Sequence, residues 1–358
     1  MPEAVEVRKF ADIISANVLG YKITHINILK GRYTKKPFEG YNDLIKALPL
    51  TIDAINTKGK FTYITLSSTS GTSDTLHISH ISKTNQKKTF YLFITLGLSG
   101  GWTIKGNNKS DFAKCDKCNY MEQNINSQNS IYTYPNMMEY IADEKQNEWF
   151  QRALYHLNVE FITDKKTKTK DNSHISFYFY DQLSFGTIKA IDSNNDNDND
   201  NDNYNAVLEK KLRELGVDLM DSKTTFEIFR EQIRKKVNDN KEIGNVIVNQ
   251  KIISGVGNYL RSDALWMTKI SPFCKVSNIS DKELEVLYWS LLSLIWGNYN
   301  YKEGKKNGYI KYKIPNDYKR NFFVYKQDKD INDKPIIKKE LFEGSQKRFI
   351  YWVKEAQK

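Results

Sequence analysis

The chain has 358 residues, 54 Lys and Arg against 43 Asp and Glu, and a formal net charge of +11. That length carries two or three domains with real cores; no run of about eighteen apolar residues offers a membrane span, and three cysteines are too few for a disulfide framework. The opening Met1-Pro2-Glu3-Ala4-Val5-Glu6 is acidic and lacks the basic-then-apolar order of a secretion signal, so an intracellular, reducing setting is expected.

Val7, Phe10, Ala11 and Ile14 recur at helical spacing and predict a short first helix ending before Gly20. β-Branched and aromatic runs predict strands over Lys22–Leu29, Lys60–Ser67, Leu76–Ile81, Thr89–Leu96, His174–Tyr180 and Thr187–Ile191. A helical stretch near Glu144–His156 interrupts them, and polar Lys105–Asn129 reads as a long loop. Asp192–Asn203 is almost wholly Asn and Asp; it cannot bury apolar surface and is expected to be a disordered insert at a domain boundary. Helices follow over Val207–Leu215, Ser222–Lys236, Ile243–Lys251, Gly257–Lys269 and Asp281–Trp296, the last with Ser280 and Glu283 as a capping box. Strand-like runs return at Asn321–Tyr325, Ile336–Phe342 and Arg348–Val353. Residues 302–358 hold 16 Lys/Arg against 8 Asp/Glu, with Tyr309, Tyr312, Tyr318, Phe322, Phe323 and Tyr325 among them. This reads either as a polyanion-binding surface or as a solvated lysine-rich face.

Removal of Met1 would leave Pro2 as a free secondary amine, a nucleophile able to form a Schiff base with a sugar C1′. A helix starting just behind it would disfavour protonation of that amine, whose ordinary pKa is about 8. Glu3 is placed to act as general acid or base, and Glu6 to orient or cap. Taken alone, Pro-Glu is also a common helix start. Gly255-Val256-Gly257-Asn258 joins two helices through a glycine-spaced turn. It is either an ordinary helix connection or an anion site made by backbone amides, Asn258 and a helix N-terminus.

At Gly255-Val256-Gly257-Asn258-Tyr259-Leu260-Arg261 the sequence resembles the Fpg/Nei family of DNA glycosylases at its helix–two-turn–helix motif, with a continuation most similar to the eukaryotic Nei-like branch. The family's other motifs follow in order: Pro2-Glu3, Gly59-Lys60-Phe61, Leu96-Gly97-Leu98-Ser99-Gly100, Asp181 through Phe185-Gly186, and Leu215-Gly216-Val217-Asp218. The resemblance implies an α+β fold with a β-sandwich-like N-terminal domain and flanking helices, a helix–two-turn–helix domain and a C-terminal β-hairpin finger. The corresponding parts are a catalytic domain over 1–191, the insert over 192–204, a DNA-binding domain over 205–300 and the finger over 301–358.

It also implies the roles. Pro2 is the Schiff-base nucleophile, Glu3 the proton donor, Lys60 the phosphate contact and proton donor for β-elimination, and Arg348 the finger arginine for δ-elimination. Gly257 and Asn258 hold DNA phosphate, while Leu98 and Phe185 fill the gap left by an everted base. The activity implied is a glycosylase/AP lyase of base excision repair acting as a monomer on damaged DNA, without a dissolved cofactor, wherever the DNA is (a nucleus or a viral replication site). A catalytically inactive damaged-DNA-binding protein of the same fold and a basic RNA-binding protein are the alternatives.

Departures from the family pattern carry further expectations. Val353 and Ala356 stand where a finger's last cysteine pair would be, and no cysteine lies beyond Cys274. A zincless finger is therefore expected, packed by Phe342, Phe349, Tyr351 and Trp352. Leu183 stands where the family has an arginine that pairs with the orphaned base, which favours oxidised pyrimidines and ring-opened or hydantoin lesions. Cys115-x-x-Cys118 has no second pair and reads as a loop without a metal. The Lys/Asn bias suggests an AT-rich genome, of a eukaryotic microbe or a large DNA virus.

Overall fold

The structure, a computed structural model, describes residues 2–68, 88–106, 120–125, 130–135, 152–164, 174–193, 206–315, 318, 322–343 and 346–358, with the backbone alone of 120–125, 130–135, 174, 342, 343 and 346–348. The expected strand Leu76–Ile81, the residues His77, His80, Cys115 and Cys118, and positions 194–203 of the Asn/Asp tract lie outside the described residues. Of the expected helix Glu144–His156, residues 152–155 are helical and 144–151 lie outside.

Helix α1 (Ala4–Val18) buries Val7, Phe10, Ala11 and Ile14, the stripe its periodicity predicts, and Val18 as well. Helix α2 (Tyr41–Lys46) lies between the first two of ten strands. These are β1 (Lys22–Ile28), β2 (Leu50–Lys58), β3 (Phe61–Ser67), β4 (Thr89–Thr95), β5 (Gly100–Gly106), β6 (Tyr120–Ile125), β7 (Ser130–Pro135), β8 (Leu157–Asp164), β9 (His174–Asp181) and β10 (Thr187–Asp192). They form one antiparallel sheet in the order β10-β4-β3-β2-β1-β8-β9-β5-β7-β6.

Strand β1 meets β2 through Lys22↔Thr51 and Ile23↔Leu50 before running along β8. The sheet turns at this narrow seam. One core takes Ile52, Ile64, Leu66, Leu92 and Ile94 from one half and Trp102, Ile104, Phe161, Phe177 and Phe179 from the other, the sandwich-like arrangement expected. Trp102 is 1% exposed, with the rings of Phe161, Phe177 and Phe179 at 5.9, 5.7 and 5.4 Å. The long-loop reading of Lys105–Asn129 is corrected: β5 runs on to Gly106, and Tyr120–Ile125 is a strand paired with β7. Strand β6 is at the sheet's edge, where polar Glu122-Gln123-Asn124 is tolerated and leaves little apolar signal.

A second core belongs to the helical half. The elements of that half are α3 (Ala206–Arg213), whose Val207, Leu208 and Leu212 pack on Phe61, Tyr91 and Phe93 of the sheet, then β11 (Val217–Asp218), α4 (Phe226–Ile233), α5 (Ile243–Val246), β12 (Ile253–Ser254), α6 (Asn258–Met267), α7 (Asp281–Tyr299) and α8 (Tyr301–Lys306). The Ser280/Glu283 capping box opens α7: the Ser280 N–H donates to Glu283 Oε2 at 2.7 Å, and the Glu283 N–H to Ser280 Oγ at 3.3 Å. The predicted helix Ile243–Lys251 contracts to one turn. Asn249 O accepts the N–H groups of both Ile252 and Ile253, turning the chain into β12. Strands β11 and β12 pair in parallel, Asp218 opposite Ser254. Val5 of α1 belongs to this second core while Val7 onward belongs to the first, so α1 splints the two halves.

Strands β13 (Ile337–Glu343) and β14 (Gln346–Trp352) make the C-terminal hairpin. Asn321–Tyr325 was expected as a strand, but 322–325 is irregular; its amides are taken by a carboxylate rather than a ladder. Among the described residues no helix is long and apolar enough to cross a membrane.

Candidate active site

Glu3 precedes α1 with an extended backbone (φ −111°, ψ −171°), which carries its side chain off its own helix. The carboxylate lands on the N-terminus of α6. It accepts from the N–H groups of Gly257 at 2.7 Å, Tyr259 at 3.0 Å and Leu260 at 3.4 Å, and Glu3 is 1% exposed. Its own N–H donates to Glu6 Oε2 at 2.9 Å, and the Tyr259 hydroxyl donates to the Glu6 carboxylate at 3.3 Å. Glu6 therefore orients and caps, as expected. Burial pushes the Glu3 carboxyl up to about 7; Lys60 pulls it down, Glu6 pushes it up, and the Tyr259 and Gly257 N–H groups pull it down. Such a group changes charge near neutral pH, the condition for proton transfer in either direction.

The glycine turn is built around this contact. Gly255 has φ +98° and accepts the Ala4 N–H at 3.0 Å; a Cβ there would lie 2.6 Å from Ala4 Cβ. A Cβ on Gly257 would lie 2.4 Å from the Glu3 carboxyl. The expectation that backbone amides of this turn form an external anion site is corrected for Gly257, Tyr259 and Leu260. Glu3 reaches them intramolecularly and supplies the negative charge that a helix N-terminus favours. Asn258 is left with its side chain. Its Oδ1 accepts from Arg261 Nη2 at 3.0 Å, which turns the amide's N–H donors to the opposite side.

Lys60 is in the two-residue turn between β2 and β3, closed by the Lys58↔Phe61 pair. Gly59 has φ +58°, and a Cβ there would lie 2.5 Å from the Gly255 N. The turn is thus pressed against the glycine turn of the helical half, and Lys60 is near enough for its ammonium to act on Glu3. Pro2, half-buried, precedes Glu3 on the same segment. The structure brings Pro2, Glu3 and Lys60 together at the seam between the two cores.

Two loops present apolar side chains outward. Leu98, Leu183 and Phe185 are 46%, 52% and 58% exposed. A Cβ on Gly97 (φ +59°) would lie 2.9 Å from Phe185 Cβ, so the loops touch. Asp181, 2% exposed, ties them: Ser99 Oγ donates to its Oδ1 at 2.6 Å, the Gly186 N–H donates to its Oδ2 at 2.6 Å, and the Leu183 N–H donates to Ser99 Oγ at 2.9 Å.

The finger is docked by charged groups buried on α6. Arg261 donates to Gly244 O at 3.2 Å and to Phe349 O at 3.0 Å. Asp263, wholly buried, accepts the Tyr318 hydroxyl at 2.7 Å and the N–H groups of Phe323, Val324 and Tyr325, each at 3.0 Å. Asp330 accepts from Trp266 Nε1 at 3.0 Å, the Asn332 N–H at 2.9 Å and the Lys334 N–H at 3.0 Å.

The expected aromatic packing is corrected in part. Phe349 is 42% exposed, its ring under Lys338 at 4.2 Å, whereas Leu341, Ile350 and Val353 are the buried residues. Tyr351 and Trp352 pack on Tyr325 and Phe273 at 5.2 Å each. Phe342 and Arg348 lie in the hairpin with only their backbone described, Arg348 opposite Leu341. Among the described residues no group of three or more His, Cys, Asp or Glu could hold a metal ion.

In the sequence Asp181, Asp218 and Arg261 stood out only as members of motifs, without a role, and Asp263 and Asp330 did not stand out at all. A signal existed for Arg261 and Asp263, since both fall inside a helical run whose neighbours Tyr259, Leu260, Ala264 and Leu265 are apolar and buried. Charge at such positions marks a partner across the interface.

Residues 1–188 match the formamidopyrimidine-DNA glycosylase N-terminal domain and residues 199–301 the formamidopyrimidine-DNA glycosylase H2TH domain. A formamidopyrimidine-DNA glycosylase of Ureaplasma parvum is 25% identical over 143 residues, 40% of this chain and 43% of that protein. An endonuclease 8 of Enterobacter is 28% identical over 89 residues, 25% of this chain and 34% of that protein. The matched stretches thus span less than half of these relatives. Lactococcus lactis Fpg, solved in complex with DNA containing an abasic site, superposes with a TM-score of 0.59 at 16% identity, covering 99% of both chains. That likeness is one of fold.

Proposed function

This chain belongs to the Fpg/Nei family, and on that premise we propose that it is a bifunctional DNA glycosylase/AP lyase of base excision repair. After loss of Met1, the Pro2 nitrogen attacks C1′ of a damaged nucleoside and the bond to the base breaks. Glu3 gives its proton to the ring oxygen, opening the sugar to a Schiff base. Lys60 holds the neighbouring phosphate and assists β-elimination; Arg348 serves the δ-elimination. Asn258 grips phosphate through its outward N–H donors, while Leu98 and Phe185 fill the space of the everted base. The working parts are the catalytic domain (1–191), the insert (192–204), the DNA-binding domain (205–300) and a zincless finger (301–358), in a monomer acting where damaged DNA is, without a cofactor.

Oxidised pyrimidines and ring-opened or hydantoin lesions are the proposed substrates. Leu183 has no donors with which to read an orphaned base, so strict opposite-base selection has no agent at that position. The same departures, with the Asn-Tyr-Leu-Arg run, support the eukaryotic Nei-like, zincless branch, carried by a eukaryotic microbe or a large DNA virus.

The observation that carries the proposal is the buried Glu3 carboxyl, pushed up to about 7 beside Pro2 and within the field of Lys60. Capping α6 accounts for the three N–H bonds to Glu3, and its nearness to Pro2 and Lys60 is what the catalytic reading adds. Borohydride reduction with abasic-site duplex tests it. A covalent adduct on the Pro2 peptide is expected, lost when Met1 is retained or a tag precedes it; absence of any adduct from the processed protein would overturn the reading.

A further inference from the structure

Asp218 is in the short strand β11, beside Ser254 of β12, and so next in space to Gly255. Its Oδ2 accepts the N–H of Gly59 at 2.9 Å, a contact between residues 159 apart in the chain. The other oxygen accepts the Met220 N–H at 2.9 Å, and the Asp218 carbonyl accepts the Thr224 hydroxyl at 2.7 Å, so the carboxylate is aimed by its own loop. Asp218 is 9% exposed; burial pushes its carboxyl up from the ordinary range, with Asp221 adding to the rise, while the Gly59 and Met220 N–H groups and Arg8 pull it down. On its other side the Gly59–Lys60 turn has no room to retreat, because Gly59 already lies against the Ser254–Gly255 backbone. The turn is therefore fixed by close packing against β12 and by one charge-assisted hydrogen bond. That bond joins the residue immediately before Lys60 to the helical half.

We infer that Asp218 is a positioning residue for Lys60: by holding the Gly59 N–H it sets where the Lys60 ammonium stands relative to the DNA phosphate and Glu3. The inference rests on the proposed role of Lys60 in strand cleavage. It assigns to the helical half a part in the elimination chemistry, beside the phosphate grip proposed for Asn258. Replacing the carboxylate by an amide leaves one of the two backbone donors without an acceptor, and the turn gains freedom at the point where a displacement of about 1 Å matters most.

The test is a double-mutant cycle on full-length protein, read as single-turnover cleavage of abasic-site duplex, with Asp218→Asn, Lys60→Ala and both together. Asp218→Asn is expected to lower the single-turnover cleavage rate at saturating protein about tenfold, with the protein concentration giving half-maximal rate changed less than about twofold. In the Lys60→Ala background it is expected to have no further effect. Asp218→Ser serves as a second variant, with melting temperatures measured alongside. Wild-type cleavage by Asp218→Asn overturns the inference. So does an equal loss in both backgrounds, the mark of a purely structural role. If instead Lys60→Ala cleaves as wild type, the role of Lys60 falls first, and failure of borohydride trapping by the unaltered protein removes the enzymatic reading independently of Asp218.

Discussion

Glu3 has two properties that oppose each other: its carboxylate accepts three backbone N–H groups, and burial nonetheless holds it up to about 7. The consequence for stability has a definite sign. The folded-state value lies above the ordinary 4.5, so the folded chain keeps a proton that the unfolded chain releases. The stabilisation is full below about 4.5 and is lost as pH rises through about 7. Between those limits this one group costs about 3 kcal/mol of stability. Glu3→Gln removes the titration while keeping the size. Denaturant titrations at pH 5 and pH 8 should show the wild type losing more stability over that interval than the variant, and base release by the variant should collapse at every pH because the proposed proton donor is gone. Equal pH slopes in the two proteins would mean that Glu3 is not the titrating group.

At the level of elements, α6 is the piece on which the rest is hung. Its N-terminus takes Glu3, Arg261 links it to β14 while also donating to Asn258, and Asp263 holds Tyr318, Phe323, Val324 and Tyr325. Four donors converge on Asp263, and burial pushes its carboxyl up to about 6 in spite of them. Asp263→Ala would leave the Tyr318 hydroxyl and three amides buried without an acceptor, at about 1–3 kcal/mol for each that finds no water. The expected result is a loss of hydrogen-exchange protection at Phe323, Val324 and Tyr325, with a fall in overall stability of about 3 kcal/mol or more. Unchanged protection at those amides would show that the finger is held by its aromatic contacts instead. The finger is therefore organised by Asp263, Asp330 and Arg261 as much as by packing of its own aromatic residues.

For the molecule as a whole, the seam between the two cores and the candidate active site are one place. Ala4 bonds to Gly255, Glu3 to Gly257 and Gly59 to Asp218, so each candidate element of the N-terminal half is held by a backbone or carboxylate of the helical half. Gly255→Ala tests that coincidence. The new methyl would meet Ala4 Cβ at 2.6 Å in a left-handed backbone that disfavours any side chain. Borohydride-trapped adduct should fall by at least about tenfold, while binding to abasic duplex, carried by dispersed basic groups, changes far less. Parallel loss of binding and trapping would place the damage in the fold rather than at the seam.

Local signals were legible without coordinates. The apolar stripe of α1, the Ser280/Glu283 cap, the glycine turn at 255–257 and each separate motif depend on residues within a few positions of one another, and each was readable. Strands such as β6 were not, because an edge position relaxes the apolar pattern that would announce them. The buried carboxylates were illegible for a different reason: an Asp in a sequence looks solvated until its partner is known, and here the partners lie 159 residues away for Asp218 and 60 for the Phe323 amide on Asp263. Sequence alone determined which groups were available for chemistry. Tertiary structure decided that Glu3, 254 residues from Gly257, would fill the end of α6 and lose its water, and burial is the largest cause of its proton affinity near neutrality.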